Sequence, residues 1–145
     1  MVAMDENDSV WPLAPLTFVN MTSSLSQKCI VIDCRSFLSF NVAHIKGSLN
    51  VHCPPILKRR FHRGSSTLDC LLKSPELKRR VADAETLILY GEGTQDWIDL
   101  EKDNTMKILH MLLRRERVDK TLYFIKGKLS QRIVQNFLVT QLKGL

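Results

Sequence analysis

The sequence lacks the patterns that identify secreted, membrane-spanning or zinc-binding proteins. Its cysteines, Cys29, Cys34, Cys53 and Cys70, are irregularly spaced and include no CxxC pair, so neither a disulfide framework nor a zinc site is predicted. No apolar stretch approaches the ~20 residues that a membrane span needs, and the acidic N-terminus has no signal-peptide core. We expect reduced thiols, no metal or cofactor, no membrane partner, and a cytoplasmic or nuclear location.

Size and charge are those of an ordinary globular domain. The 145 residues fit one domain, and 44% of them are hydrophobic and 25% charged. The 21 basic and 15 acidic residues give a net charge of +6. This surplus indicates an acidic partner, although extra Lys and Arg more often form solvated surface.

Apolar runs and helical spacings alternate along the chain. Residues 28–33, 86–90 and 121–125 are apolar runs of the kind found in parallel strands that are covered on both faces. Helices are predicted at residues 36–43, 67–72, 75–81 and 105–118, and a short strand at residues 47–51. Residues 16–19 indicate a short strand or helix, and residues from Leu129 onward keep helical spacing. Strands that alternate with helices predict an α/β domain with a parallel sheet and helices on both faces.

Polar residues follow the first apolar run. Asp33 and Arg35 end the predicted strand, and the carboxyl ends of parallel strands face the functional crevice of such sheets. A carboxylate there also caps a helix or binds a neighbouring Arg, so a structural role is favoured. His44 is a candidate general base, yet an imidazole before a turn more often bonds the backbone.

These residues belong to a fairly specific pattern: Asp-x-Arg, then His-Ile-x-Gly-Ser-x-Asn, which includes Gly47 and Asn50. It resembles the opening of a rhodanese-like domain, and the later elements agree with that module in order and spacing to about Gly127. The resemblance implies a three-layer α/β fold with a mainly parallel five-stranded sheet. It divides the chain into a loose segment at residues 1–11, a rhodanese-like domain at residues 12–127 and a divergent C-terminal helix at residues 128–145.

The resemblance also permits a test for catalysis. Rhodanese enzymes and their phosphatase relatives place a nucleophilic Cys directly after a central strand, in a loop that cradles an anion. The matching loop here is Gly91-Glu92-Gly93-Thr94-Gln95, which has no Cys and no Arg and carries an acid that would repel an anionic substrate. We therefore predict no catalytic residues. A sulfurtransferase or phosphatase with a displaced catalytic Cys remains the alternative.

A basic run follows the rhodanese-like opening. Four cations without an acid among them are interleaved with apolar residues, and the residues singled out are Leu57, Lys58, Arg59, Arg60, Phe61 and Arg63. Arg forms bidentate bonds to carboxylates, which Lys does not. A solvated helix or a polyanion- or importin-binding module explains such a run equally well in isolation. A nucleic-acid partner is disfavoured because no recognised nucleic-acid motif surrounds the run.

Behind this particular module, the basic run resembles the kinase-docking motif of MAP kinase phosphatases, a dual-specificity phosphatase family. The resemblance implies a non-catalytic domain that binds the acidic docking groove of a p38-, ERK- or JNK-type MAP kinase. It makes Arg59 and Arg60 the main ion-pair donors, supported by Lys58 and Arg63, with Leu57 and Phe61 as apolar contacts. The divergent tail from Lys128 onward suggests a truncated or alternative form that keeps the docking module and lacks the enzyme.

Overall fold

The fold was analysed in a computed structural model that describes residues 9–22, 28–128 and 138–139. In chain order its elements are β1 (Val10–Leu13), α1 (Pro15–Thr22), β2 (Cys29–Asp33), α2 (Phe37–Val42), β3 (His44–Ile45), β4 (Leu49–Asn50), α3 (Pro55–His62), α4 (Leu68–Leu71), α5 (Pro75–Asp83), β5 (Thr86–Tyr90), α6 (Thr105–Arg115), β6 (Thr121–Ile125) and β7 (Leu138–Val139). Five strands form one parallel sheet in the order β1-β6-β5-β2-β4. None of the helices in these residues is long and apolar enough to cross a bilayer.

The sheet separates two apolar clusters because successive side chains of a strand point to opposite faces. Leu87 and Leu89 of β5 pack on the side of α3 to α6, whereas Ile88 and Tyr90 pack on the other side with Phe18 of α1. Strands covered on both faces need apolar residues at nearly every position, which is why the runs in β2, β5 and β6 are continuous. The predicted α/β fold with a parallel five-stranded sheet and flanking helices is confirmed.

Two short pairings near the chain ends differ from the sequence-based expectation. Strand β1 begins at Val10, ahead of the predicted start of the domain, and pairs with β6. Strand β3 pairs antiparallel with β7 at Leu138–Val139, where a helix was predicted. The rest of that predicted C-terminal helix, apart from Lys128, lies outside the described residues.

Helix α6 ends at Arg115, three residues before the predicted end. Arg117 has a φ of +56°, and the Val118 N–H donates to the Leu113 carbonyl at 2.8 Å. A left-handed residue followed by this backward hydrogen bond is a Schellman ending, which closes a helix. Val118 still packs against the core. The predicted helix was too long because Val118 keeps the helical spacing of the apolar residues in α6 although it lies after the end of the helix.

A hydrogen-bonded ion pair joins the end of β2 to the segment that follows it. The Arg35 Nη2 lies 2.7 Å from Asp33 Oδ2, and the Arg35 Nε lies 3.0 Å from Asp33 Oδ1. Arg35 also donates to the Ala43 carbonyl at 2.7 Å, and its guanidinium lies 4.8 Å from the centre of the Tyr90 ring. The Asn50 amide donates to the carbonyls of Asp33 and Arg35 at 2.9 and 3.0 Å. This network ties β2, the end of α2, β4 and β5 together at one edge.

The remaining residues of the pattern shape the turn between α2 and β4. The His44 Nδ1 lies 2.9 Å from the Phe40 carbonyl, and the two rings stack with centroids 3.9 Å apart. Gly47 has a φ of +79°, in the left-handed region that favours glycine. These contacts are structural, and they fix where the chain enters β4 and then α3.

We predict that Arg35→Ala lowers the free energy of unfolding by about 3–5 kcal/mol, because it leaves the charge of a buried carboxylate uncompensated. The Asp33 side chain is 0% exposed. The matched control is Glu85→Ala, which removes an ion pair whose side chains are 66% and 71% exposed, and it should change stability by less than ~1 kcal/mol. Urea unfolding measures both, and equal losses would contradict the role given to the Asp33–Arg35 pair.

Candidate functional site

Helix α3 has well-defined ends. Pro54 is its N-cap with an extended backbone, and Pro55 is its first residue, where proline's fixed φ suits a helix and its missing N–H costs nothing. Gly64 follows the helix with a φ of +78°. The N–H groups of Gly64 and Ser65 donate to the carbonyls of Phe61 and Arg60 at 2.9 and 3.0 Å, which is again a Schellman ending. The basic run is therefore a fixed two-turn helix.

One face of this helix is exposed and positive. Its residues share the spacing i, i+3, i+4 and i+7, and they are Ile56, Arg59, Arg60 and Arg63; we call this the α3 basic face. None of the three arginines forms an ion pair with another described residue. Lys58 lies half-buried on the flank of the helix. The four predicted cations thus lie on α3 and its C-cap, Arg63, and three of them share one surface.

The inner face of α3 holds the helix against the domain. Leu57 is only 9% exposed, belongs to the core, and its carbonyl accepts a hydrogen bond from the Ser66 hydroxyl at 3.2 Å. Phe61 is half-buried against the core, and the Arg115 guanidinium lies 5.2 Å from its ring centre.

This burial corrects part of the sequence-based site. Leu57 was expected to be an apolar contact for a partner, but its side chain faces the core, and Phe61 offers only part of its ring. The exposed apolar residue on the α3 basic face is Ile56, which is 54% exposed. The signal that could have found it is the helical phase, since Leu57 and Phe61 stand four residues apart and bury together.

Acidic side chains in the elements packed beside α3 have other partners. The Asp69 carboxylate of α4 lies 3.8 Å from the Lys78 ammonium. The Glu116 carboxylate accepts a hydrogen bond of 2.5 Å from the Leu68 N–H at the first turn of α4. Neither acid forms an ion pair with an arginine of the α3 basic face.

The first position of the loop after β5 is closely packed by the tip of a methionine side chain. A Cβ atom on Gly91 would lie 2.7 Å from Met106 Cε and 3.3 Å from Thr94 Oγ1. The Thr94 carbonyl accepts a hydrogen bond from the Gly127 N–H at 2.6 Å, which holds the loop against the end of β6. Glu92 is exposed. Met106 thus occupies the space where a side chain directly after the central strand would stand.

The cysteines differ in accessibility and acidity. Burial raises the pKa of the Cys34 thiol, with a further contribution from the Asp33 charge, and burial also raises the pKa of Cys29 and Cys53. Cys70 is exposed, and hydrogen bonds from Thr67 lower the pKa of its thiol. Within residues 9–22 and 28–128, no cluster of three or more His, Cys, Asp or Glu side chains is arranged to hold a metal ion.

Comparison with known proteins places these features in a family context. A rhodanese-like domain profile matches residues 19–128. Dual specificity protein phosphatase 1-B of Xenopus laevis is 34% identical over 112 residues, which cover 76% of this chain and 30% of that protein. Dual specificity protein phosphatase 4 of Rattus norvegicus is 33% identical over 103 residues, which cover 69% of this chain and 26% of that protein. The chain spans less than a third of the length of these relatives.

Solved structures resemble the fold at low sequence identity. A Bacillus halodurans protein superposes with a TM-score of 0.56 at 11% identity, covering 91% of this chain and 78% of that one. A Saccharomyces cerevisiae homologue of single-domain rhodanese and of the Cdc25 phosphatase catalytic domain superposes with a TM-score of 0.51 at 16% identity, covering 90% and 84%. These similarities concern the fold alone.

We predict that Cys70 is the first thiol to react with iodoacetamide and Cys34 the last, because the thiolate is the reactive form and must be accessible. Intact mass spectrometry with peptide mapping follows the order, and Cys70→Ser should remove the fast phase. Fast alkylation of a buried thiol such as Cys34 or Cys53 would contradict this order and favour the alternative of a displaced catalytic Cys.

Proposed function

This chain belongs to the rhodanese-like domain family, and from that premise we propose that it is a docking domain for a MAP kinase. The α3 basic face binds the acidic docking groove of the kinase and so regulates MAPK signalling and dephosphorylation. The observation that carries the proposal is the face itself: α3 and its C-cap present three arginines that form no ion pair with another described residue, next to an exposed isoleucine. The similarity to dual specificity protein phosphatases supports a partner in kinase signalling.

The energetics of such a surface are compatible with moderate affinity. A single exposed ion pair contributes only ~0.2–1 kcal/mol. Bidentate pairs from Arg59 and Arg60 are stronger, and Ile56 adds apolar contact that excludes water from them. Binding at 1 μM corresponds to about −8 kcal/mol, which exceeds the sum of four exposed pairs, so this affinity requires that the bidentate pairs and the apolar anchor are desolvated together.

The proposal assigns binding rather than catalysis to this chain. The loop at residues 91–95 carries no Cys, and Gly91 is packed under Met106. A nucleophile introduced directly after β5 would have to displace that methionine. By binding the docking groove, the chain competes with other proteins that use the same groove. Any dephosphorylation is the work of a separate catalytic domain.

We predict that Arg59→Ala/Arg60→Ala weakens binding to its preferred MAP kinase by about tenfold or more, equivalent to ~1.4 kcal/mol. Calorimetry against purified p38-, ERK- and JNK-type kinases measures the affinity and identifies the kinase preferred. The matched control is Arg79→Ala/Lys102→Ala, which removes two exposed cations elsewhere and should leave affinity within about twofold.

Three other results of this experiment would count against docking through the α3 basic face. Equal loss in both double variants would mean that net charge alone attracts the kinase. Tight binding to heparin with a steep salt dependence, and no kinase preference, would favour a polyanion- or importin-binding module. A folded wild-type chain that binds none of the three kinases would refute the proposal.

Adjacent residues on α3 allow stability and binding to be separated. Ile56→Ala should leave the free energy of unfolding within about 0.5 kcal/mol and weaken kinase binding by about fivefold. Leu57→Ala should lower the free energy of unfolding by about 2–5 kcal/mol, since it opens a cavity in the core. Urea unfolding measures the change in stability, and calorimetry measures the change in affinity. If Ile56→Ala destabilised the domain and Leu57→Ala weakened kinase binding instead, the helix would be rotated about its axis relative to the orientation described.

A further inference from the structure

A cleft lies beside the first turn of α3 and is separate from the α3 basic face. It is lined by Phe37, His52, Pro54, Lys73 and Leu77, among others, and its volume is about 270 Å³. We call it the β4–α5 cleft, because the chain leaving β4 forms one wall and α5 contributes another. The carboxyl ends of strands in open α/β sheets are where such domains bind ligands. Pockets for drug-sized molecules span ~300–1,000 Å³, so this smaller space suits one or two side chains.

The polar side of the cleft is positive and incompletely hydrogen-bonded. The Nδ1 atom of His52 is buried and has no hydrogen-bond partner among the described residues. Burial lowers the pKa of His52, and the ammonium groups of Lys58 and Lys73 lower it further. Lys73 lines the cleft together with His52, and it forms no ion pair with another described residue. A carboxylate bound here would neutralise the charge of Lys73 and would give the His52 imidazole, whose Nδ1 has no partner among the described residues, a hydrogen-bond acceptor.

The apolar side of the cleft continues into an uncovered helix. Helix α2 buries none of its residues, and its side chains Phe37, Leu38 and Val42 are 64%, 75% and 62% exposed. A cluster of exposed apolar side chains on one short helix is typical of an interaction surface. Phe37 is the member that lines the cleft. Pro54 also lines the cleft and is the N-cap of α3, so the cleft adjoins the helix that carries Ile56.

We propose that the β4–α5 cleft is a second docking subsite for the acidic protein partner of the α3 basic face, and that it takes an apolar side chain standing next to an Asp or Glu. The apolar side chain contacts Phe37, Pro54 and Leu77, and the neighbouring carboxylate binds Lys73 and His52. This inference rests on the proposed docking function. The cleft would make the choice of partner more specific. The α3 basic face selects for negative charge, whereas the cleft selects for an apolar residue next to an acidic one.

The first test compares two double variants of the full chain against the preferred MAP kinase. Phe37→Ala/Lys73→Ala should weaken binding by about fivefold or more. Leu16→Ala/Lys46→Ala removes one exposed apolar side chain and one exposed lysine that do not line the cleft, and it should change affinity by less than about twofold. All four side chains are exposed, so both variants should fold, and thermal unfolding checks this.

The second test uses a peptide and does not need a kinase. Amide chemical shifts of the labelled chain are followed by NMR as the peptide Ac-Asp-Glu-Leu-Asp-NH2 is added. Saturable shifts at Phe37, His52 and Lys73 are expected. They should be weaker with Ac-Asp-Glu-Gly-Asp-NH2, which lacks the apolar side chain, and with Ac-Asn-Gln-Leu-Asn-NH2, which lacks the charge.

The outcomes separate this inference from the docking proposal. If both double variants bind the kinase as well as the wild type while Arg59→Ala/Arg60→Ala is weakened, the cleft inference is wrong and docking through α3 stands. Amide chemical-shift changes that are confined to α3 also overturn the cleft inference. Changes of equal size with all three peptides overturn it as well. If the wild type binds no kinase, docking fails and the shared-partner inference fails with it; cleft-specific peptide shifts would then show that the cleft still selects an acidic and apolar ligand.

Discussion

The ion pair between Asp33 and Arg35 is the interaction on which the functional end of the domain depends. A fully buried carboxylate is costly unless a cation and hydrogen bonds compensate it, and Arg35 supplies the cation while reaching the Ala43 carbonyl. Asn50 then fastens β4 to the same corner. Since α3 begins five residues after β4, this pair fixes the corner from which the chain enters the helix, and core packing of α3 then sets the directions of its arginines.

Much of the fold was predictable because its central strands are covered on both faces. Continuous apolar runs identify β2, β5 and β6, and prolines and a glycine mark the ends of α3. The family resemblance carried by Asp33, Arg35 and the segment from His44 to Asn50 is confirmed by the match over residues 19–128. Strand β1 is half exposed and contains a proline, and β3 has two residues whose partner lies far along the chain. Neither strand has a recognisable pattern in its own sequence, so both are identified only by their pairing in the structure.

The candidate site also has a part that the sequence predicts and a part that only the structure shows. A cluster of cations without acids is visible in any sequence, and the structure places these residues on one helix. The phase of that helix decides between Ile56 and Leu57, and it is set by packing against the core. The β4–α5 cleft had no sequence signal, because Phe37, His52 and Lys73 meet only when α2, the end of β4 and the segment before α5 come together.

The two outer strands of the parallel sheet also limit how this domain associates with other proteins. Strands β1 and β4 form the edges, with four and two residues respectively. Pro12 removes an amide donor from β1, and Pro54 and Pro55 prevent the segment after β4 from lengthening that edge. Such edges resist the addition of a further strand, which is the usual route from a sheet to aggregates. These two edges therefore favour contacts made by side chains, as proposed for α3, over pairing with a strand of another protein.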